Sequence, residues 1–417
     1  MKIRAAYPSH LTYCMNVHPG ESLTDVCTAI ENHAVAIRNR VAPESRFGLG
    51  LRLANRASLE LVVAGNLARL KRVIEKHGCY AFTINGFPFG AFHGARVKEE
   101  VYRPDWRSNE RRDYTHRLAR QLAALLPEGM TGSISTVPGS YKAWVRSDAD
   151  ITDMVAHLAE TVVFLAKLQQ ETGREVHLGL EPEPDCFLET TDETITFFRD
   201  GLLPEGRTPV ARLLGCSEAA AEAAIRRHVG VCFDTCHLAL QFESLSESLK
   251  KLSAAEIRIS KIQLSAAIQT RWDPDAAEAL KRFCDPVYLH QVKACVDGRG
   301  VSRGDLEEAL RSRQAQADEA WRVHCHVPLY FVGEGALSST ANELDAAFFQ
   351  TARDLRVEHF EIETYTFDVL PESLRTLGVN ASIAQEYQWA LARLVGDKRQ
   401  MFDSLVLPNV SDRRTAC

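Results

Sequence analysis

The chain has 417 residues, 45% hydrophobic and 25% charged, an ordinary globular balance with room for a large core. Its 49 basic against 55 acidic residues leave a net charge of −6, which advertises no nucleic-acid partner. No apolar run reaches the ~20 residues of a membrane span, and the N-terminus "MKIRAAYPSHLTYC" lacks the apolar core of a leader peptide.

In chain order, eight short segments alternate with period two and read as strands. They are "HLTYCMNVH" (10–18), "CYAFTING" (79–86), "GSISTVP" (132–138), "EVHLGLEPEP" (175–184), "HVGVCFDTCH" (228–237), "IRISKIQLS" (257–265), "RVHCHVPLYF" (322–331) and "HFEIETYTF" (359–367). Helical patterns lie at 22–40, 57–77, 111–126, 150–172, 190–201, 217–227, 243–253, 305–319 and 341–355, with a last one at 381–396. Strand and helix alternating eight times predict an α/β fold, a (β/α)8 TIM barrel, as one domain over 1–417. "RFGLGLRLA" (46–54) reads as an extra strand-like piece, and residues 269–300 as a long insert. Arg111, Arg112, Arg117 and Arg120 read as a solvated helix face. The 11 cysteines are odd in number, and Cys14, Cys232 and Cys325 lie in apolar strands. Free thiols in a reducing cytoplasm follow. Cys232 and Cys236 have no second pair with which to build a zinc site.

Parity separates the two faces of each strand. Val229, Val231 and Phe233 oppose Cys232 and Asp234; Leu178 and Leu180 oppose His177 and Glu181; Phe360 and Ile362 oppose Glu361 and Glu363; Val323 and Val327 oppose His324 and His326. Tyr80, Phe82 and Ile84 are expected to face the helices, with Thr83 and Asn85 inward. The 257–265 segment is less clean, because Ile257 and Ile259 share the parity of Lys261. Polar residues therefore converge at the C-terminal mouth, where barrels hold their sites. Several carboxylates in one mouth repel unless protonated or bridged by a cation. Mixed with imidazoles, they suit Mn²⁺, Zn²⁺ or Fe²⁺ better than Mg²⁺.

These residues resemble the xylose-isomerase-like barrel superfamily of sugar isomerases, epimerases and endonuclease IV-type nucleases. "FDTCH", "GLEPEP" and "IET" are similar to its metal-binding motifs. The resemblance implies Glu181, Asp234 and Glu363 as metal ligands, with His326 of "HCH" and Gln263 where the superfamily usually offers a His. "NGFPFGAFHGARVKEEVYRPDW", "LGLEPEPDCFLETTDE", "SKIQLSAA", "VYLHQV", "VHCHVPL" and "IETYTFDVLP" are similar to EboE-type metabolite traffic proteins over roughly 8–400. That implies a sugar-phosphate isomerase/epimerase-like barrel tied to moving secondary-metabolite precursors, with membrane-associated traffic partners.

The expected chemistry is isomerisation or epimerisation of a polyol, sugar or cyclitol-like metabolite. A divalent metal would polarise a carbonyl, Glu181 or Glu363 would move a proton, and Lys261 would stabilise an enediolate. His18, Asn85, His237 and His324 are candidate substrate contacts. Trp106 joins them from "RPDWRSNERRDY" (103–114), a candidate lid. Two rivals stand beside this reading: a carrier that keeps the mouth as a ligand pocket, and a metal-dependent phosphodiesterase. The second is weakened by Asn85 and Gln263 at positions where the nucleases carry His.

Overall fold

Eight parallel strands form a ring whose order follows the chain. They are β1 (Pro8–Tyr13), β2 (Phe47–Arg52), β3 (Cys79–Asn85), β4 (Gly132–Thr136), β5 (Val176–Leu180), β6 (Val229–Asp234), β7 (Arg258–Leu264) and β8 (His359–Ile362). The computed structural model describes residues 1–4, 7–93, 96–312 and 318–395. From β2 to β8 each strand pairs in parallel with its sequence neighbours, and β8 returns to β1. The ring closes at β1 and β2 through a parallel bridge from Cys14 to Gly50, and Thr12 Oγ1 donates to Gly48 O at 2.9 Å. Strand Lys2–Arg4 folds back antiparallel onto β1.

The barrel is the predicted one, but two of its strands were assigned differently from sequence. The extra piece at 46–54 is β2 itself. Two helical patterns, 22–40 and 57–77, lie between the first two expected strands, and a strand has to separate them. Conversely, the segment at 322–331 is not a barrel strand, and β8 pairs directly with β7. Ala320–Val323 belongs to a second, antiparallel sheet of order Arg299–Asp305, Gln291–Val296, Ala320–Val323, Ile268–Arg271, Leu337–Ser339, Gly333–Glu334. Period two says strand but not which sheet. The insertion between β7 and β8 thus carries strands from 268 to 339, well past the expected 269–300.

Register irregularities explain where parity misleads. Between β6 and β7 the pairing shifts from Val231↔Ile259 to Cys232↔Lys261, leaving Ser260 as an extra residue. Side chains change faces there, so Ile257 and Ile259 side with Ile262 and Leu264 rather than with Lys261. A similar shift at Ala81 to Thr83 accompanies a correction. The Phe82 ring lies against His10 and His359, 5.4 and 5.0 Å between centroids, instead of facing helices.

Most surrounding helices follow the expected patterns and sequence-local signals start them, but 57–77 is two helices, Asn55–Glu60 and Asn66–Lys76, and Leu203–Leu214 is a further helix outside those patterns. Ser22 with Asp25, Ser147 with Asp150, and Thr190 with Glu193 form capping boxes. Asp148–Thr172 stops at Gly173, whose φ of 67° suits glycine. The C-terminal helix is Val379–Leu394; residue 396, its expected end, lies outside the described residues. The 305–319 pattern yields only Leu306–Arg311, and 313–317 are likewise outside. No described helix is long and apolar enough to cross a membrane. The ten described cysteines are free thiols, seven of them buried.

Candidate metal centre

The carboxylates arrive at the strand ends. Glu181 follows β5, its N–H donating to Thr136 O at 3.1 Å; Glu363 follows β8, its N–H donating to Leu264 O at 3.0 Å. Asp234 ends β6 and caps the short helix Thr235–Leu240. Its Oδ1 accepts from the Cys236 and His237 N–H groups at 2.8 and 3.1 Å and from Ser265 Oγ at 2.7 Å. Glu181, Asp234 and Glu363 each present an oxygen within 4.8 Å of the other two. Burial, then the neighbouring Asp234, raises Glu181 well above the carboxylate range. Burial, then Glu181 and Asp234, does the same to Glu363. Asp234 moves the other way: burial is outweighed by His237, His326 and the Ser265 hydroxyl.

Three imidazoles complete the cluster. His237 Nδ1 faces Pro182 O at 3.1 Å, His324 Nδ1 faces Gln291 Oε1 at 2.6 Å, and His326 Nδ1 faces Glu363 O at 3.0 Å. Gln291 is oriented by its own donations to Pro184 O at 3.1 Å and Tyr102 Oη at 3.0 Å. Carbonyl oxygens only accept, so each Nδ1 carries the proton and each Nε2 keeps a lone pair. The three Nε2 atoms then converge: His324 lies 3.1 Å from His237 and 3.2 Å from His326. Burial lowers all three pKa values, His326 to about 4. Facing lone pairs repel unless something positive lies between them. The carboxylates add buried oxygens with no partner: Asp234 Oδ2, Glu181 Oε2 and Glu183 Oε2. This donor set fits a divalent cation, and the Nδ1–H···O=C anchors are those that metal-bound histidines use.

The structure thus brings Glu181, Asp234, His326 and Glu363 together, with His237 and His324 beside them. Asn85 also arrives: its Nδ2, with that of Asn16, donates to Glu363 Oε1 at 3.0 and 2.8 Å. Gln263 is level with Asp234 in the sheet. Its Oε1 accepts the Cys232 thiol at 2.8 Å, which leaves its buried Nε2 without a partner. Three expected residues are placed elsewhere. Lys261 is fully buried and ion-paired with Glu361 inside the barrel. His18 is held by Tyr13 Oη at 2.9 Å and stacked on His33 at 4.1 Å. Trp106 is fully buried with its backbone bonded to Gly139, away from the cavity wall.

The 103–114 segment is not the lid. Its Arg111 is buried rather than solvated, and donates to Gly86, Phe87 and Pro104 carbonyls at 2.7, 3.0 and 2.6 Å. It pins the chain that leaves β3. The roof comes from 87–93, from 96–102 and from the insert: Val97 and Lys98 N–H groups donate to Val287 O at 2.8 and 3.0 Å. Tyr288 Oη meets His93 Nδ1 at 2.8 Å, and His93 Nε2 meets Asn16 O at 2.6 Å. Beneath lies a small cavity, partly open to solvent, reaching Glu181, Glu183, His237, His324 and Glu363. Sequence reasoning missed Gln291, Asn16 and the roof residues. It also left Glu183 open between structural pairing and the site. Glu183 accepts from Tyr102 Oη at 2.9 Å, and burial pushes it up to about 8.

Behind the site, Glu386 of the C-terminal helix ties two ligand-bearing loops together. Its Oε1 accepts from Thr364 Oγ1 at 2.7 Å and from Leu329 N–H at 3.1 Å, while Oε2 is buried without a partner. Burial raises it from 4.5 to about 7. The folded state therefore holds a proton that the unfolded state has lost between those pH values, so stability falls as pH rises through them. Wild type should lose up to about 3 kcal/mol between about pH 5 and about pH 8 that Glu386→Gln does not lose. Urea unfolding of both proteins at the two pH values measures it.

No family model and no curated protein matches the sequence. Similar solved structures include the IolI protein with a bound zinc atom, at 12% identity over 95% of this chain and 100% of that one, TM-score 0.46. A D-tagatose 3-epimerase-like protein is 13% identical over 94% and 99%, TM-score 0.46. A xylose isomerase domain protein from Alicyclobacillus acidocaldarius is 11% identical over 93% and 99%, TM-score 0.42.

Proposed function

We propose that this chain is a metal-dependent isomerase or epimerase acting on a small metabolite with neighbouring oxygens, of the polyol, sugar or cyclitol type. The observation that carries it is the convergence of three Nδ1-anchored imidazoles on partnerless carboxylate oxygens beneath a roofed cavity. Asp234, Glu181, Glu363, His237, His324 and His326 are the residues that would hold a divalent ion. Bound there, it would supply Lewis-acid polarisation of a carbonyl. The chain's own part is proton movement and exclusion of water. Glu181, with its free Oε2 and raised pKa, takes a proton from the carbon beside the carbonyl and returns it. Glu363 is steadied by Asn16 and Asn85 on one oxygen, which leaves the other for substrate or metal. The roof keeps bulk water from the exposed carbanion face.

Two motifs quoted above for the EboE-type likeness, 85–106 and 178–193, supply Asn85, Phe87, Val101, Glu181 and Glu183 to this cavity. That supports placing the chain in the metabolite traffic group as part of the proposal, with membrane-associated traffic partners. A carrier without turnover is the second reading. It is favoured by Lys261, the expected electrophile, being held by Glu361. The roofed cavity and net charge of −6 speak against a phosphodiesterase on DNA.

Elemental analysis followed by NMR in D2O tests the proposal. The as-purified protein should hold stoichiometric transition metal and wash deuterium into the carbon beside the carbonyl of a ketose or inosose. Metal without exchange moves the reading to the carrier. Absence of metal even after incubation with Mn²⁺ or Zn²⁺ overturns it.

A further inference from the structure

The cavity is polar at one end only. Its partnerless polar atoms, Asn16 Oδ1, Glu181 Oε2 and Glu183 Oε2, belong to residues among or beside the candidate ligands. Above them the wall is carbon: Phe87, Phe92, Val101, Leu289 and the rings of Tyr288 and Tyr365. Phe92, Tyr288 and Tyr365 pack on one another with centroids 5.2 to 5.4 Å apart. The hydroxyl groups nearby are nearly all engaged. Tyr288 Oη bonds His93, and Tyr102 Oη bonds Glu183 and Gln291, so Tyr365 Oη is the free one among the described wall residues.

Cations are scarcer still. Lys98 is the one lysine or arginine lining the cavity among the described residues, and it is ion-paired with Asp305 at 2.7 Å. A phosphate would need guanidinium or free N–H groups. A sugar, with hydroxyls on every side, would leave most of them facing apolar wall, unpaired and costly.

Building on the metal-centre reading, we infer that, within the class proposed above, the substrate is a cyclic α-hydroxy ketone with its two neighbouring oxygens on one edge and an otherwise apolar body, planar in its enediolate form, and not a sugar phosphate. The oxygen edge meets the ligand floor. The apolar body stacks under Phe92, Tyr288 and Tyr365. The insertion, through Tyr288 and Leu289, is then the part of the chain that selects the substrate.

The test uses the full-length, metal-loaded protein with three probes: 4-nitrocatechol, myo-inositol and fructose 6-phosphate, each followed by calorimetric titration. Metal per chain is measured before and after. 4-Nitrocatechol should bind at least about 100-fold more tightly than either other probe. Leu289→Asn and Val101→Asn should each weaken it about 10-fold or more with metal content unchanged. Fructose 6-phosphate or myo-inositol binding as tightly as 4-nitrocatechol to metal-loaded protein would overturn this inference alone. Wild-type affinity in both variants would do the same. A chain that cannot be loaded with metal would overturn the metal-centre reading and this inference with it.

Discussion

Asp234→Asn should strip the protein of its metal while leaving it folded. The carboxylate divides its work between two oxygens. Oδ1 caps a helix and takes the Ser265 hydroxyl, while Oδ2 has no partner, and the carboxylate as a whole sits among His237, His326, Glu181 and Glu363. An asparagine keeps the first role, because its oxygen is as good a cap. It fails in the second, because an NH2 group offers hydrogens where the site needs a lone pair and removes a negative charge from between two imidazoles. Metal affinity should fall by more than about 100-fold, beyond what losing a supporting residue costs. Elemental analysis beside a circular dichroism melt would show it. Full occupancy in a folded variant would remove Asp234 from the ligand set.

Lys261→Met should cost about 3–5 kcal/mol of stability, the range for breaking a buried ion pair. Lys261 and Glu361 are both fully buried and bonded to each other, so removing the ammonium leaves a carboxylate with neither water nor partner. Burial works to lower the lysine pKa, but Glu361 and other acidic neighbours outweigh it and hold Lys261 above its ordinary value. A raised lysine contributes stability below its unfolded pKa and loses it only as pH climbs through the folded one. The lysine's own contribution in wild type should therefore be unchanged between about pH 6 and about pH 8. Lys261→Met combined with Glu361→Gln should recover most of the cost, since a neutral pair needs no compensation. Guanidinium unfolding of single and double variants decides this. A single variant as stable as wild type would mean that Glu361 finds another partner.

Which features were legible in the sequence follows from what each depends on. Asp234, Glu181 and Glu363 announce themselves because a carboxylate at the end of an apolar strand has no cheap structural excuse. His324 and His326 were found with the wrong scaffold: their alternation is real, but a loop leaving the second sheet carries them. β2 hid because Gly48 and Gly50 give one face of the strand no side chain to read. Gly50 must lack one, since a Cβ there would collide with Glu361 and the Tyr13 carbonyl. Lys261 sat on the right face, but facing inward does not say at what depth, and its partner Glu361 lies in the neighbouring strand. His18 and Trp106 were drawn in by residue type alone. Gln291 and Tyr288 lie in the insertion, where no barrel periodicity points inward. Only the fold brings them over the mouth.

Where His324 and His326 are anchored links two processes. The barrel strands provide the carboxylates, but the imidazole of His324 is oriented by Gln291, at the start of a strand of the second sheet. His290 holds the same residue through its carbonyl at 2.7 Å. An ion that binds these imidazoles binds only when the insertion is folded in place, so occupancy and insertion folding draw on one free energy. Chelation should then loosen the second sheet ahead of the barrel and open it to proteolysis, with the cleavage rate falling as metal concentration rises. Metal availability in the cell would set how long this second sheet survives.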